Sequence, residues 1–363
     1  MSQLPFSFIF VELGPSKSTV KAAALQVRHR YPEAPIYVIS DQKHLFLKMY
    51  KIELVDAARL KKSDLWKSFL GNSELNSDWR KGFWLKTSER IFALDAFIRS
   101  ESLQNTIHME NDITLLCGER ELNSLRGKNL RVAFPFESTD LGCLSILYCD
   151  APASIHELAQ KFVETSALNP KLSEMRILGK IRRENQELIT VLPTIPYSSF
   201  PQYLKPHENS KFVDNSILWE NFSEYNFLFD ATAYGYFLGG EDPRNTYFRY
   251  QLGTALATSP INISDLNWNI KGSPGEPELW VEDKESGQEI QLLNLHIHSK
   301  DMKTDDNGLR KWLQERVNFA NSKSWPPSPF AARAFARALR DKGDRRTAIY
   351  GVLKEIRKFK MKS

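Results

Sequence analysis

The sequence predicts an α/β fold, a mixed and mostly parallel sheet flanked by helices, with a helical appendage at the C-terminal end. Three observations carry this reading. Short apolar runs alternate with amphipathic stretches, as strand and helix units of a parallel sheet do. Acids stand where several of those runs end, at Asp41, Glu110 and Asp112, the rim at which ligands of such sheets collect. No segment recurs at a fixed period, which excludes a solenoid.

In order, the pattern gives a strand over 8–13, a helix over 17–30 and strands over 36–40 and 52–55. A helix over 84–100 carries Trp84, Arg90, Leu94 and Phe97 at helical spacing and delivers the chain to a further strand ending at 108–112. Strands over 130–134 and 144–148 follow, then a helix from about Ser154 with Glu157 as capping-box partner. Residues 190–212, rich in Pro, Ser and Tyr, read as an irregular excursion. Pro326, Pro327 and Pro329 punctuate the end of the core, dividing the chain into a domain over 1–325 and a basic helical extension over 326–363.

Length and composition narrow the class. A chain of 363 residues with 42% hydrophobic and 12% aromatic content has ample material for a core. Cys117, Cys143 and Cys149 form no metal-spacing pattern and leave an odd thiol, which fits a reducing, cytoplasmic setting. The N-terminal apolar stretch lacks a basic leader and is broken by Glu12, so it reads as a strand. From Phe330 onward, eleven Lys or Arg face three Asp or Glu, an excess larger than the formal +5 of the whole chain. That basicity, with Ile349, Val352, Leu353, Ile356 and Phe359 on one helical face, fits equally a packed pair of helices with a solvated basic face and peripheral contact with the inner face of a membrane. Phe335, Tyr350 and Phe359 sit at core-facing spacing, which argues against nucleic acid.

The stretch I-H-M-E-N-D-I-T-L-L places Glu110 and Asp112 inside an apolar run. Burying an ionised carboxylate unpaired costs several kcal/mol, roughly, so the pair needs either a cation or a satisfying network, and a hard divalent ion shared with a phosphate-bearing substrate is the economical answer. A turn after a strand is the plainer reading of two such acids. In L-L-N-L-H-I-H-S-K, strand alternation puts His296 and His298 on one face, as edge residues or as metal ligands, with Lys300 beside them. The run F-D-A-T-A-Y-G-Y-F-L-G-G-E-D-P-R-N reads as a helix over 231–238 stopped by Gly239 and Gly240. Those glycines allow close approach of a sugar, Tyr234 and Tyr236 can stack on it, and Asp230, Glu241 or Asp242 can deprotonate an attacking hydroxyl. Asp41 can touch a nucleotide's base or ribose, and Lys86 and Arg90 can reach its diphosphate.

The order of these elements and the acids at 108–112 resemble nucleotide-sugar glycosyltransferases of the GT-A fold, whose D-x-D motif stands at this juncture. The resemblance spans about residues 6–300 and departs from the pattern in having Glu first and Asn in the middle. It implies that Asp112 holds Mn2+ or Mg2+ on the donor diphosphate and that Glu110 faces the donor's sugar or ribose. It further implies a metal ligand from His298 or else His296, and Lys300 as the clamp on the leaving phosphate. The implied activity is transfer from a nucleotide-sugar donor to a glycan or lipid-linked acceptor, as in surface polysaccharide synthesis. A metal-dependent hydrolase built on His296 and His298, or a non-catalytic nucleotide- or glycan-binding protein on the same fold, are the alternatives.

Overall fold

The computed structural model describes residues 6–14, 18–78, 81–126, 130–196, 216–239, 266–273, 275–282, 287–298, 302–303 and 305–321. Its first half is the expected alternation: β1 (Ser7–Glu12), α1 (Ser18–Arg30), β2 (Ile36–Ser40), β3 (Glu53–Asp56), α2 (Asp64–Asn72), α3 (Phe83–Ser100), β4 (Thr106–Met109) and β5 (Ile113–Leu115). Next come α4 (Glu119–Asn123), β6 (Val132–Ser138), β7 (Leu141–Gly142), β8 (Ile146–Cys149), α5 (Pro152–Leu168), α6 (Glu174–Glu184) and β9 (Ile189–Leu192). The remainder comprises α7 (Phe222–Tyr225), β10 (Phe227–Leu228), α8 (Ala233–Gly239), β11 (Asn267–Ser273), β12 (Glu276–Glu282), β13 (Glu289–Leu292), β14 (Asn294–His296) and α9 (Asp306–Asn321).

The main sheet runs β3-β2-β1-β4-β8-β6-β7, with β9 on β6. β3, β2, β1 and β4 are mutually parallel, as are β6 and β9, whereas β8 is antiparallel to both its neighbours and β7 to β6. The sheet is therefore mixed with a parallel majority. Chain order reverses at β1, which has β2 on one side and β4 on the other. The crevice beyond the carboxyl ends of β1 and β4 is the topological switch point of the sheet.

Both faces of this sheet are covered, which is why its strands read as continuous apolar runs. Along β1, Ile9 and Val11 face one core with Trp66, Phe69, Phe92 and Phe162 from α2, α3 and α5. Phe8 and Phe10 face another, with Val20, Ala24 and Val27 of α1. Each such side chain stabilises the fold by about 1.5–3 kcal/mol through burial. A second sheet, β10-β13-β12-β11, packs against α9, where the Asn321 amide exchanges two hydrogen bonds with the Trp268 backbone, at 3.0 and 2.8 Å.

Two local expectations are corrected. The excursion expected from residue 190 begins as a strand, because 189–192 pair with the apolar β6. The helix expected from Ser154 starts at Pro152, whose fixed φ suits a first helical position, and Glu157 pairs with Arg131 instead of capping. The extension over 326–363 and its helices lie outside the described residues. Among the described residues no helix is long and apolar enough to cross a membrane.

Candidate metal centre at the sheet rim

Glu110, Asn111 and Asp112 form the tight turn between β4 and β5. The Glu110 amide donates to Ser145 O at 3.0 Å, and the Ile113 amide closes the turn on Glu110 O at 3.1 Å. β14 then pairs antiparallel with β5, setting His296 opposite Ile113, and the Ile297 amide extends the ladder to Asp112 O at 2.8 Å. This pairing brings residues far apart in the chain together. The ligand atoms of Asp112, His296 and His298 lie within 4.8 Å of one another.

The hydrogen bonds of His296 define what belongs in the gap. Its Nδ1 is 2.8 Å from Ala231 O, and a carbonyl can only accept, so Nδ1 carries the hydrogen. Nε2 then points a lone pair at Glu110 Oε2, 3.1 Å away, and Asp112 Oδ2, 3.4 Å away. Three acceptors facing one another demand a cation, either a proton on Nε2 or a metal ion among them. Burial alone would drive the imidazolium to a low pKa, but Cys143 and the Glu110 carboxylate outweigh it and hold His296 up to about 10.

His298 supplies a second observation. Its ring stacks on those of His296 and Tyr236, at 3.9 and 3.8 Å between centroids, and its Nε2 is buried with no hydrogen-bond partner. Burial first, and then the neighbouring His296 charge, keep this imidazole neutral. A buried neutral nitrogen without a partner costs about 1–3 kcal/mol, a cost that ligation would remove. One carboxylate and two imidazoles would suit a divalent transition-metal ion, Mn2+ among them, better than Mg2+, which keeps several waters and prefers oxygen ligands.

The surroundings fix these ligands rather than compete with them. Asp230 is fully buried, and its carboxylate accepts backbone amides of Tyr234 (3.0 Å), Gly235 (2.7 Å) and His296 (2.8 Å). It caps α8 and pins β14, although burial raises its pKa to about 6. Asn294 grips the Asp230 backbone with two bonds of 3.0 Å. Gly235 permits the approach, since a Cβ there would lie 2.0 Å from His296 O. Arg90, expected to reach a diphosphate, is instead engaged by Glu110 (2.5 Å) and by both oxygens of Glu174 (3.2 and 3.0 Å). Burial opposes the charge of Glu110, but Arg90 and His296 pull its pKa down to about 2.

A second group lies across the switch point. Gly14, just past β1, donates to Asp41 Oδ2 at 2.8 Å, and the Lys86 side chain occupies the space where a Gly14 Cβ would stand. Glu12 Oε2 meets His44 Nε2 at 2.5 Å and the Ser40 hydroxyl at 3.2 Å. Asp41 and Lys86 are thus neighbours at the carboxyl ends of β1 and β2. Tyr234 is 1% exposed, with its hydroxyl on Thr194 O at 2.6 Å, and packs in the core rather than on an acceptor face. Gly239 packs towards Ile297 and Trp312. Gly240, Glu241, Asp242 and Lys300 lie outside the described residues.

Two further residues escaped the sequence reading. Glu137, near the end of β6, lies in a crevice too tight for a water molecule, against Phe136, Thr194, Asp230, Ala231, Thr232, Ala233 and Tyr234. Burial lifts its carboxyl to about 7. Its signal was an acid closing the apolar run V-A-F-P-F-E, the same kind that marks Glu110. Cys143 carries no sequence signal, yet Sγ lies within 4.8 Å of ligand atoms of Glu110 and His296 while donating to Ala231 O at 3.2 Å.

No family model matches the chain, and no curated protein matches it in sequence. Among solved structures it is similar to mouse xyloside xylosyltransferase 1 in its apo form, at TM-score 0.38 and 11% identity over 52% of this chain and 85% of that one. It is also similar to the glycosyltransferase GlyE of Streptococcus pneumoniae, at 0.36 and 10% over 52% and 45%. An active-site mutant of LgtC matches at 0.34 and 9% over 60% and 83%. At such scores and identities the chemistry is left to the residues themselves.

Proposed function

We propose that the chain is a metal-dependent glycosyltransferase, with Mn2+ preferred over Mg2+, moving a sugar from a nucleoside diphosphate donor to a hydroxyl of a glycan or lipid-linked acceptor. The observation that carries this reading is the convergence of Asp112, His296 and His298 beside the switch point, with one imidazole nitrogen aimed at two carboxylates and another buried without a partner.

In this reading Asp112 and the two histidines hold the ion, and Arg90 orients Glu110 towards the donor's sugar or ribose. A bound divalent ion supplies positive charge to the leaving diphosphate. Gly14, Asp41 and Lys86 form the rim at which the nucleotide rests, Lys86 bringing charge and Asp41 an acceptor for a ribose hydroxyl. Surface polysaccharide synthesis is the setting we assign to this chemistry.

Calorimetric titration of UDP, GDP and CDP, with and without Mn2+, tests the proposal on the wild-type protein and on Asp112→Ala and His298→Ala. Metal-dependent binding of one nucleotide, weakened at least about tenfold in both variants, is the expected result. Binding of none of them, or binding indifferent to metal, overturns it. Metal binding without nucleotide binding would favour a hydrolase on the same ligands.

A further inference from the structure

Large apolar side chains are exposed at few described positions, and four of those five belong to one short segment: Leu45 (64%), Phe46 (41%), Met49 (78%) and Tyr50 (40%). The segment is the single 3-10 helix Leu45–Tyr50 between β2 and β3. It is held rigidly. Leu47 is fully buried beneath it, and Lys51 ends it in the left-handed conformation with its amide on Leu47 O and Lys48 O. Arg28 clamps the end from α1, donating to Tyr50 O at 3.0 Å and Lys51 O at 2.8 Å. An apolar face presented on so fixed a platform is not a frayed loop.

Its border is cationic. Lys43, Lys48 and Lys51 are exposed around the patch, Lys21 lies 3.7 Å from the centroid of the Phe46 ring, and residues 43–51 contain no acid. The exposed apolar area is on the order of 300–400 Å2, well below the roughly 800 Å2 each partner contributes to a stable protein interface. For a bilayer surface that area suffices, because apolar and aromatic side chains enter the headgroup boundary individually while flanking lysines meet anionic lipid.

We propose that Leu45, Phe46, Met49 and Tyr50, ringed by Lys43, Lys48 and Lys51, dock the protein on an anionic lipid surface. The segment leaves the carboxyl end of β2, where Lys21 in the first turns of α1 lies over Phe46, and runs beside α1 to Arg28 near its other end, which holds Tyr50 and Lys51 next to the start of β3, so the patch lies along the β3 edge of the sheet. On the transferase reading such docking would hold the enzyme at the surface that carries lipid-linked acceptors, whereas the docking itself rests on the patch alone.

The test uses the full chain with Met49→Cys carrying an environment-sensitive fluorophore, and Leu168→Cys as the control, since Leu168 is the remaining exposed large hydrophobic (84%) and the native cysteines are buried. Vesicles of phosphatidylcholine alone are compared with equal parts of phosphatidylcholine and phosphatidylglycerol. The expected result is a blue-shifted, several-fold brighter signal at position 49 only, with the anionic vesicles only, and co-sedimentation weakened about tenfold by Leu45→Glu with Met49→Glu. Sedimentation with a silent label at position 49 would place binding on another surface and overturn the proposal. An equal response to neutral vesicles would overturn the role of the lysines. A change on raising protein concentration without lipid would assign the patch to a second copy, and no response at all would remove the lipid. Nucleotide is absent throughout, so either outcome is separable from that of the titration above.

Discussion

Glu137 and Arg90 show how burial assigns different work to two ionisable side chains. Glu137 lies in a tight crevice with the charged groups His296 and Asp230 nearby, and its folded-state pKa of about 7 lies above the usual carboxylate value. A raised carboxyl pKa means that the folded state binds the proton more tightly than the unfolded state. Stability therefore falls as pH rises between about 4.5 and 7, by about 3 kcal/mol at most. Glu137→Gln should flatten that slope in urea unfolding series. Arg90 is a structural cation. Arg90→Met would leave Glu174 buried without its guanidinium and Glu110 with His296 as its remaining charged partner, and chemical denaturation should show a loss of about 3–5 kcal/mol.

At the scale of elements, the decisive contact is α8 against β14. Gly235→Ala would drive a methyl to 2.0 Å from the His296 carbonyl and 2.8 Å from Asp230 Oδ2. The helix must move off the strand, so loss of Mn2+ affinity should accompany a drop in stability of about 1–3 kcal/mol, read together by calorimetry and thermal melting. The strand-ending acids were legible because an unpaired carboxylate in an apolar run needs a partner wherever it lies, and the turn at Glu110–Asp112 was found that way. The partnership of α8 with β14 was not, since it depends on a packing distance that only a missing Cβ permits. The sheet from β11 to β13 was likewise unread. Pro277, Leu279 and Val281 alternate inward along β12, but a proline and three acids in E-P-E-L-W-V-E obscure the period.

For the whole molecule, fold class was the easiest property to read, because a sheet covered on both faces writes itself as uninterrupted apolar strands. The rim could be located from strand ends alone, which is how Asp41, Glu110 and Asp112 were found, while Lys86 was read from the helix that leads to it. The roles of Arg90, Tyr234 and Asp230 could not, because each spends its polar atoms on protein partners that composition does not reveal. Mn2+ with the cognate nucleoside diphosphate should raise Tm by several degrees, about 3 kcal/mol of stabilisation at a hundredfold excess over Kd, and chelation should reverse it.

The candidate metal ligands are divided between a turn at residue 112 and the stretch from His296, which ends β14, to His298 just past it. Synthesis therefore places the first acid on the ribosome's product long before the imidazoles exist, and the β5–β14 pairing closes one of the longest loops in the described chain. Contacts of such span form late. On the proposed reading, metal capture in refolding should trail the recovery of helical signal, and a nascent or truncated chain that stops short of His296 would lack both imidazole ligands. Competence to bind metal would thus report that the chain has been made and folded at least as far as β14.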